Sequence, residues 1–457
     1  MVPDSTTDRL LPALVEIVGS DNVLRPAPAQ YLTDETGRGL RGDASAVVLP
    51  GTADQAAAVV ARCYDAGAAI TPRGGGSGVA GGAVPAGGVV VACDRLDRIR
   101  NFDPLLWRIH AEAGVTTARL HRTARESGLM FPPDPGAAEQ SQTGGNLATN
   151  AGGPHALRYG VTRRWVTGVE AVIAPGRLIT VGGATRKDTA GYDLAGLLVG
   201  SEGTLGLITA AWLRLVPAPE AVHLVAACYP TSADACAAIE RVLGSGTEAS
   251  ALELLDEPAA RLGGGGFPGG PLAGCLLLAE ADGSTVEAAA RRDALLDALA
   301  TGALSVAQPD DPAAVWRWRD GVSSRLSAVR GGKLSEDIAV PLDRLSEALA
   351  EVPRIGERHG LTGLSFGHAG DGNLHATFLL DPADDGERAA ADAARDELFA
   401  LAIELGGTIS GEHGLGLVKS GRLQDQWGPA ALDAHAAIKR ALDPRGLFNP
   451  GKKLPTR

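Results

Sequence analysis

Short apolar runs alternate with helical periodicity through the first half of the chain. Residues 46–49 form an apolar run closed by Pro50, and Ala53–Ala66 then repeats apolar residues at helical spacing. Residues 68–71, 89–92 and 109–113 read as further strands, and 117–127 as a helix. The stretch 132–136 (PPDPG) stops regular structure. Residues 169–173 and 178–181, joined at Pro175-Gly176, predict a hairpin.

After 217–220 (PAPE) the pattern restarts, which places a domain boundary there. Strands are predicted at 224–229, 251–255, 276–280 and 337–340, with helices near 232–243, 285–300 and 342–359, an α+β sheet domain. The last segment, 387–457, reads as helical around the loop GGTISGEHGLG. The first 22 residues predict a short amphipathic helix with an acidic start, unlike a signal peptide. No apolar stretch reaches the 18 or so residues that a membrane span needs.

Composition narrows the class. A chain of 457 residues suits two or three domains, and 45% hydrophobic with 21% charged residues is globular. The net charge of −12, with no basic run, excludes a nucleic-acid footprint. The five cysteines are scattered, with no Cys-x-x-Cys and no zinc or iron–sulfur spacing. They predict reduced structural thiols and a cytoplasmic location. Glycine is the outlier, at 61 residues gathered in short runs, which suggests backbone lying close to a ligand.

Three glycine loops stand out. Arg73-Gly-Gly-Gly-Ser-Gly78 follows a strand directly, and successive N–H groups there can form an anion nest, with Arg73 and Ser77 as added donors. Gly76–Gly81 matches the dinucleotide fingerprint G-x-G-x-x-G, but the residues that follow, GGAVPAGG over 81–88, cannot open the required helix. No Gly-Lys-Ser/Thr follows, which removes the P-loop as well. The stretch 142–153 (QTGGNLATNAGG) and the stretch 200–206 (GSEGTLG) repeat the chemistry with amide and hydroxyl donors. Three such loops fit a long phosphate-bearing ligand crossing several strand ends.

Together, PRGGGSGVAGGAVP, GGNLATNAGG, YGVTRRWVTGVEAV, YDLAGLLVGSEGTLGLIT, GHAGDGNLH, SGEHGLG and LDPRGLFNPGK resemble the FAD-linked oxidases of the vanillyl-alcohol-oxidase type. Within that superfamily the resemblance is to the glycolate oxidase large subunit, D-lactate dehydrogenase and D-2-hydroxyglutarate dehydrogenase. It implies an α+β protein with an N-terminal helical segment over 1–40 and a two-subdomain FAD-binding domain of the PCMH type over 41–219. A ferredoxin-like α+β cap domain over 220–457 would follow, ending in a helical return segment over 400–457. It implies FAD contacts from Arg73, Gly74, Gly75, Gly76, Ser77 and Gly78 in the first loop. Thr143, Gly145, Asn146, Thr149, Asn150 and Gly152 would contribute from the second loop, and Glu202, Gly203 and Ile208 from the third. Pro133 and Asn449 complete the set. Relatives that attach FAD covalently often carry a histidine in the first glycine loop; this loop has none, so the FAD is expected to be non-covalent.

His368 and His375 are seven apart, which on one continuous strand would put them on opposite faces. The intervening Gly370-Asp-Gly-Asn373 is a turn, across which two imidazoles can converge. Glu412-His413 sits between Gly411 and Gly414. Two histidines and a carboxylate make an N2O shell with positions left for substrate, suited to Zn²⁺ first, with Mn²⁺ or Fe²⁺ as alternatives. The resemblance implies His368, His375 and Glu412 on the metal, His413 as catalytic base and Asn373 in the catalytic set. Arg319 matches the family's carboxylate-binding arginine, with Ser323 one turn on. Relatives often have a lysine where this chain has Ser335; Lys333 lies two residues earlier on the same strand face, so the acid that is read stays open.

The expected activity is ping-pong oxidation of a D-2-hydroxy acid of the lactate, 2-hydroxyglutarate or glycolate type. A separate acceptor, a quinone, an electron-transfer flavoprotein or a cytochrome, would remove the electrons. Two other readings stand beside it: an electron-transfer or scaffolding subunit of a larger oxidase complex, and a same-fold oxidase of an alditol or aldonolactone. Peripheral membrane attachment and a homodimer are both left open.

Overall fold

In the computed structural model, which describes residues 5–455, the chain divides into two units. The first holds the chain up to Gly152, Val161–Pro217 and the stretch from Glu412 onward; the second holds Gly153–Gly160 and Ala218–Gly411. The acidic start expected for the N-terminal helix, residues 1–4, lies outside the described residues.

The first unit is built on two sheets. One is four-stranded, in the order Val23–Leu24, Ala46–Val48, Val89–Ala92, Ile70–Arg73, with the last three strands parallel. The helix Ala53–Ala66 connects two of them. The Thr52 hydroxyl accepts the Gln55 N–H at its start, and Gly67 takes a left-handed φ of 73° at its end. Its apolar stripe, Val59, Val60 and Cys63, packs with Leu14, Val91 and Phe448 into one core. Phe448 comes from the far end of the chain, where the Leu447 carbonyl accepts the Ile70 N–H at 2.8 Å and the Ile70 carbonyl accepts the Asn449 N–H at 2.7 Å. The C-terminal stretch is therefore laid beside the strand that leads into the first glycine loop.

The second sheet of this unit is antiparallel and five-stranded, in the order Ile99–Asp103, Arg108–Glu112, Leu207–Arg214, Val166–Ile173, Arg177–Gly182. The expected hairpin is its outer pair. Two features differ from the sequence reading. Ile99–Asp103 is a strand although its residues are mostly polar and none is buried, so no apolar pattern announced it. Residues 143–149, expected as loop, form the helix Thr143–Thr149 despite two glycines. Its first turn is anchored from outside: Thr143 donates through N and Oγ1 to the Val115 carbonyl, and the Gly144 N–H donates to Ala113. A Cβ on Gly144 would lie 2.7 Å from that of Ala113, so close packing overrides propensity here.

The second unit is one antiparallel seven-stranded sheet. Its order is Ser305–Ala307, Ala221–Tyr229, Cys275–Gly283, Ala251–Leu255, Thr362–Gly367, Asn373–Leu380, Gly332–Ala339. The central strands Ala251–Leu255 and Asn373–Leu380 are buried at every position, although Glu253 interrupts the first and Asn373, His375 and Thr377 the second. Helices Pro312–Asp320 and Val322–Arg330 contribute Val315, Trp318, Val322 and Leu326 to a core with Leu255, Leu276 and Phe366. No strand is predicted on either side of the histidine turn, yet Thr362–Gly367 and Asn373–Leu380 flank it as neighbours in the sheet. Among the described residues no helix is long and apolar enough to cross a membrane.

Candidate active site

The first glycine loop is shaped by close approaches. A Cβ on Gly75 would fall 1.9 Å from the Gln140 carbonyl, and Gly76 combines a φ of 72° with contact to the Arg73 guanidinium. Gly78 and Gly145, by contrast, face open space, with nothing within 4 Å of an added Cβ. Arg73 was expected to donate to a bound anion. Instead its guanidinium donates to the backbone carbonyls of Gln30, Thr33 and Ala83, so it braces the loop against the N-terminal segment. Ser77 stays half-buried in the loop.

The second loop is tied down in the same way. Asn146 donates to the Thr117 hydroxyl at 2.6 Å, and the Thr149 hydroxyl donates to the Gly145 carbonyl. Asn150, at a φ of 56°, accepts the Arg163 N–H. The buried Pro133 carbonyl lies 2.9 Å from His121 Nε2. A Cβ on Gly152 would lie 2.8 Å from Glu412 Oε2, so this loop ends directly against the return segment of its own unit.

In the third loop Glu202 is buried at a φ of 54°. Its carboxylate accepts the N–H groups of Leu415 and Gly416 and pairs with Lys453 at 3.1 Å. Gly203 packs on Pro72, and Ile208 is buried in the following strand. Asn449 donates to the carbonyls of Gly82 and Glu202. Glu202 and Asn449, both expected on the cofactor, thus also bind the glycine loops to the C-terminal stretch.

Several buried polar atoms around these loops have no protein partner: Gln142 Oε1, Ser201 Oγ, Asn449 Oδ1 and Lys452 Nζ. Each such atom costs about 1–3 kcal/mol unless something satisfies it. Burial pushes the Lys452 ammonium down to about 8 against the pull of Asp34 and Glu202. Open glycine backbone beside unsatisfied amide, hydroxyl and ammonium groups fits a large polar ligand bearing phosphates and hydrogen-bonding rings. His413, on the return segment, is half-buried, with its Nε2 3.7 Å from Glu412 Oε1.

In the second unit the two histidines converge across the turn, as the sequence predicted. Phe366 pairs in register with His375, the turn Ala369–Asp371 follows His368, and Gly372 closes it at a φ of 80°. The two imidazoles lie 5.2 Å apart, nearly edge to face. Asn373 shares the turn. Its amide nitrogen sits where a Cβ on Gly411 would be, which requires glycine there, and its buried Oδ1 has no protein partner.

The sequence reading missed Glu253. This residue is wholly buried in Ala251–Leu255, where its Oε1 lies 2.5 Å from His368 Nδ1 and its Oε2 accepts from Arg319 Nε at 2.6 Å. Burial pushes its carboxyl up, and Arg319 and His368 outweigh that, holding it at about 2. Arg319 itself is buried over the face of Phe366. The guanidinium expected to be the substrate anchor is therefore already engaged along one edge. The signal available was a single carboxylate within an otherwise apolar strand, Ala-Leu-Glu-Leu-Leu.

Ser323 does not continue the helix of Arg319; it belongs to a second helix beyond Gly321. Lys333 Nζ donates to the Ser323 hydroxyl and carbonyl and stands over the Phe366 ring. Ser335 is hydrogen-bonded to Thr377. Burial, helped by Arg319, pushes the Lys333 ammonium down to about 8. Arg319 and Lys333 thus both stand over the Phe366 ring.

Two family models match the chain. One, described as the C-terminal domain of FAD-linked oxidases, matches residues 218–453, and one for an FAD-binding domain matches residues 44–182. The chain is 36% identical over 419 residues to the glycolate oxidase subunit GlcD of Bacillus subtilis, covering 89% of this chain and 88% of that protein. It is 33% identical over 416 residues to a D-lactate dehydrogenase of Anaerostipes hadrus, covering 87% of each. To a D-2-hydroxyglutarate dehydrogenase of Xanthomonas citri pv. viticola it is 33% identical over 424 residues, covering 90% and 89%. The fold matches a substrate-bound p-cresol methylhydroxylase with a TM-score of 0.80 at 18% identity, covering 99% of this chain and 97% of that one. It matches a 4-ethylphenol oxidase of Gulosibacter chungangensis at 0.77 and 18%, covering the whole of both chains.

Proposed function

The chain belongs to the FAD-linked oxidases, and from that premise we propose that it is a metal-assisted dehydrogenase of a D-2-hydroxy acid, yielding the 2-oxo acid. The observation that carries the reading is the pair His368 and His375, buried and convergent at the end of a glycine turn. With Glu412 they offer the donor types that hold a divalent ion, Zn²⁺ first, with Mn²⁺ or Fe²⁺ as alternatives. Glu412 follows Gly411 directly, and Gly411 packs on Asn373 of the histidine turn. Relatives named for D-lactate and D-2-hydroxyglutarate support this substrate class.

In this reading FAD is held without a covalent bond and supplies the acceptor for the hydride on the substrate α-carbon. A divalent ion supplies a Lewis acid for the hydroxyl. The protein's own groups do the rest. Arg319 takes the substrate carboxylate on the guanidinium nitrogens that Glu253 leaves over, and Lys333 adds a second cation beside Phe366. Asn373 offers its unsatisfied Oδ1, and His413 accepts the hydroxyl proton.

A separate carrier, a quinone, an electron-transfer flavoprotein or a cytochrome, then reoxidises the protein. Work as one subunit of a larger oxidase is the second reading, favoured by relatives named as a glycolate oxidase subunit. The five free, buried cysteines support a reducing, cytoplasmic setting.

Turnover with D- and L-2-hydroxy acids and an artificial dye as acceptor tests the proposal. Dye reduction with formation of a 2-oxo acid from the D isomers is the expected result; none from any 2-hydroxy acid, in protein carrying FAD and metal, rejects it. Acid precipitation should release the flavin into the supernatant, and flavin in the pellet would reject the non-covalent claim.

A further inference from the structure

Glu253 is the one charged residue in Ala251–Leu255 and has no exposed surface. Burying a carboxylate is costly unless it is fully paired, and here both oxygens are used. Oε1 faces His368 Nδ1, and Oε2 faces Arg319 Nε and Nη2, at 2.5 Å from the latter. An ionised carboxylate only accepts, so the Nδ1 proton of His368 points at Glu253. In the neutral imidazole this leaves Nε2 as the lone-pair nitrogen. The same carboxylate holds the guanidinium along its Nε edge.

We propose that Glu253 is a positioning residue that couples the metal-binding histidine to the substrate-carboxylate arginine. One rigid carboxylate sets the tautomer and orientation of His368 and the orientation of Arg319 together. A 2-hydroxy acid presents its hydroxyl and carboxylate on adjacent carbons, so their two receptors must keep one spacing. A central strand of a sheet, buried on all sides, is suited to fix it. Glu253 also offsets the charge of Arg319, while Lys333 hydrogen-bonds to the Ser323 hydroxyl and carbonyl. This inference rests on the proposed metal and substrate roles of His368 and Arg319.

The test uses full-length, FAD-loaded protein and two readouts: Zn²⁺ affinity by competition with a chromophoric chelator, without turnover, and KM and kcat for the hydroxy acid. Glu253→Gln should weaken Zn²⁺ binding roughly 10- to 100-fold and raise KM, while FAD affinity stays at the wild-type value. Glu253→Asp, which keeps the charge, should recover part of both losses. Because removing one partner of a buried pair can prevent folding, the double variant Glu253→Leu with Arg319→Met replaces the pair with apolar groups. It should fold, hold FAD and still bind Zn²⁺ weakly. Wild-type Zn²⁺ affinity in Glu253→Gln or in the double variant overturns the coupling while leaving the metal site standing. Wild-type protein that binds no Zn²⁺ overturns both.

Discussion

Glu202 Oε2 accepts the backbone N–H of Gly416 at 2.7 Å, across 214 residues of chain, while Oε1 accepts that of Leu415 at 3.0 Å. This buried carboxylate fixes the loop that follows Glu412 and His413 to the third glycine loop of the same unit. Glu202→Gln turns one acceptor into a donor facing an N–H group, a loss of about 1–3 kcal/mol. The thermal midpoint of FAD-loaded protein should fall, by roughly 2–4 °C per kcal/mol for a domain of this size, with easier loss of FAD. Differential scanning fluorimetry beside flavin release checks it; an unchanged midpoint would mean that other contacts hold the loop.

Elemental analysis should find about one divalent ion per chain, and His375→Ala should lose it. FAD content should survive the substitution, because the glycine loops belong to the other unit. Chelation should stop turnover while flavin stays bound, and added Zn²⁺ should restore it. Full activity in demonstrably metal-free protein would end the metal assignment.

Lys333 gives a pH dependence with two signs. Burial first, and Arg319 second, bring its ammonium down from 10.5 to about 8. It is charged below that value, so kcat/KM should decline as pH rises through about 8, and Lys333→Met should remove this inflection. Folding stability runs the other way. Between about 8 and 10.5 the unfolded lysine holds a proton that the folded one lacks, so this group adds stability as pH rises. Activity and stability moving together across that window would contradict the assignment.

His413→Asn keeps size and some hydrogen bonding but is far too weak a base to take the hydroxyl proton. It should lower kcat roughly a hundredfold or more with FAD and metal retained. Flavin and metal content measured beside kcat separates loss of the base from loss of a cofactor. A wild-type rate would place the base elsewhere.

Much of this site was legible because glycine, proline and histidine mark geometry directly. The turn between His368 and His375 could be read from Gly370 and Gly372, and the glycine loops from their runs. What stayed hidden depends on tertiary contact. Arg73 looks like an anion donor until three carbonyls claim its guanidinium. The helix Thr143–Thr149 forms against its glycines because Ala113 and Val115 supply the partners of its first turn. Glu253 was passed over because a lone carboxylate in a short strand ordinarily points to water, and nothing local announces an arginine 66 residues and a histidine 115 residues away.

The most direct test of the central claim is anaerobic rapid mixing of FAD- and metal-loaded protein with a D-2-hydroxy acid, its L isomer and the α-deuterated D isomer. The account predicts loss of oxidised flavin absorbance with the D isomer, slowed by α-deuteration and abolished when the metal is stripped. Flavin that stays oxidised with every D-2-hydroxy acid, or that is reduced equally fast without metal, would contradict it.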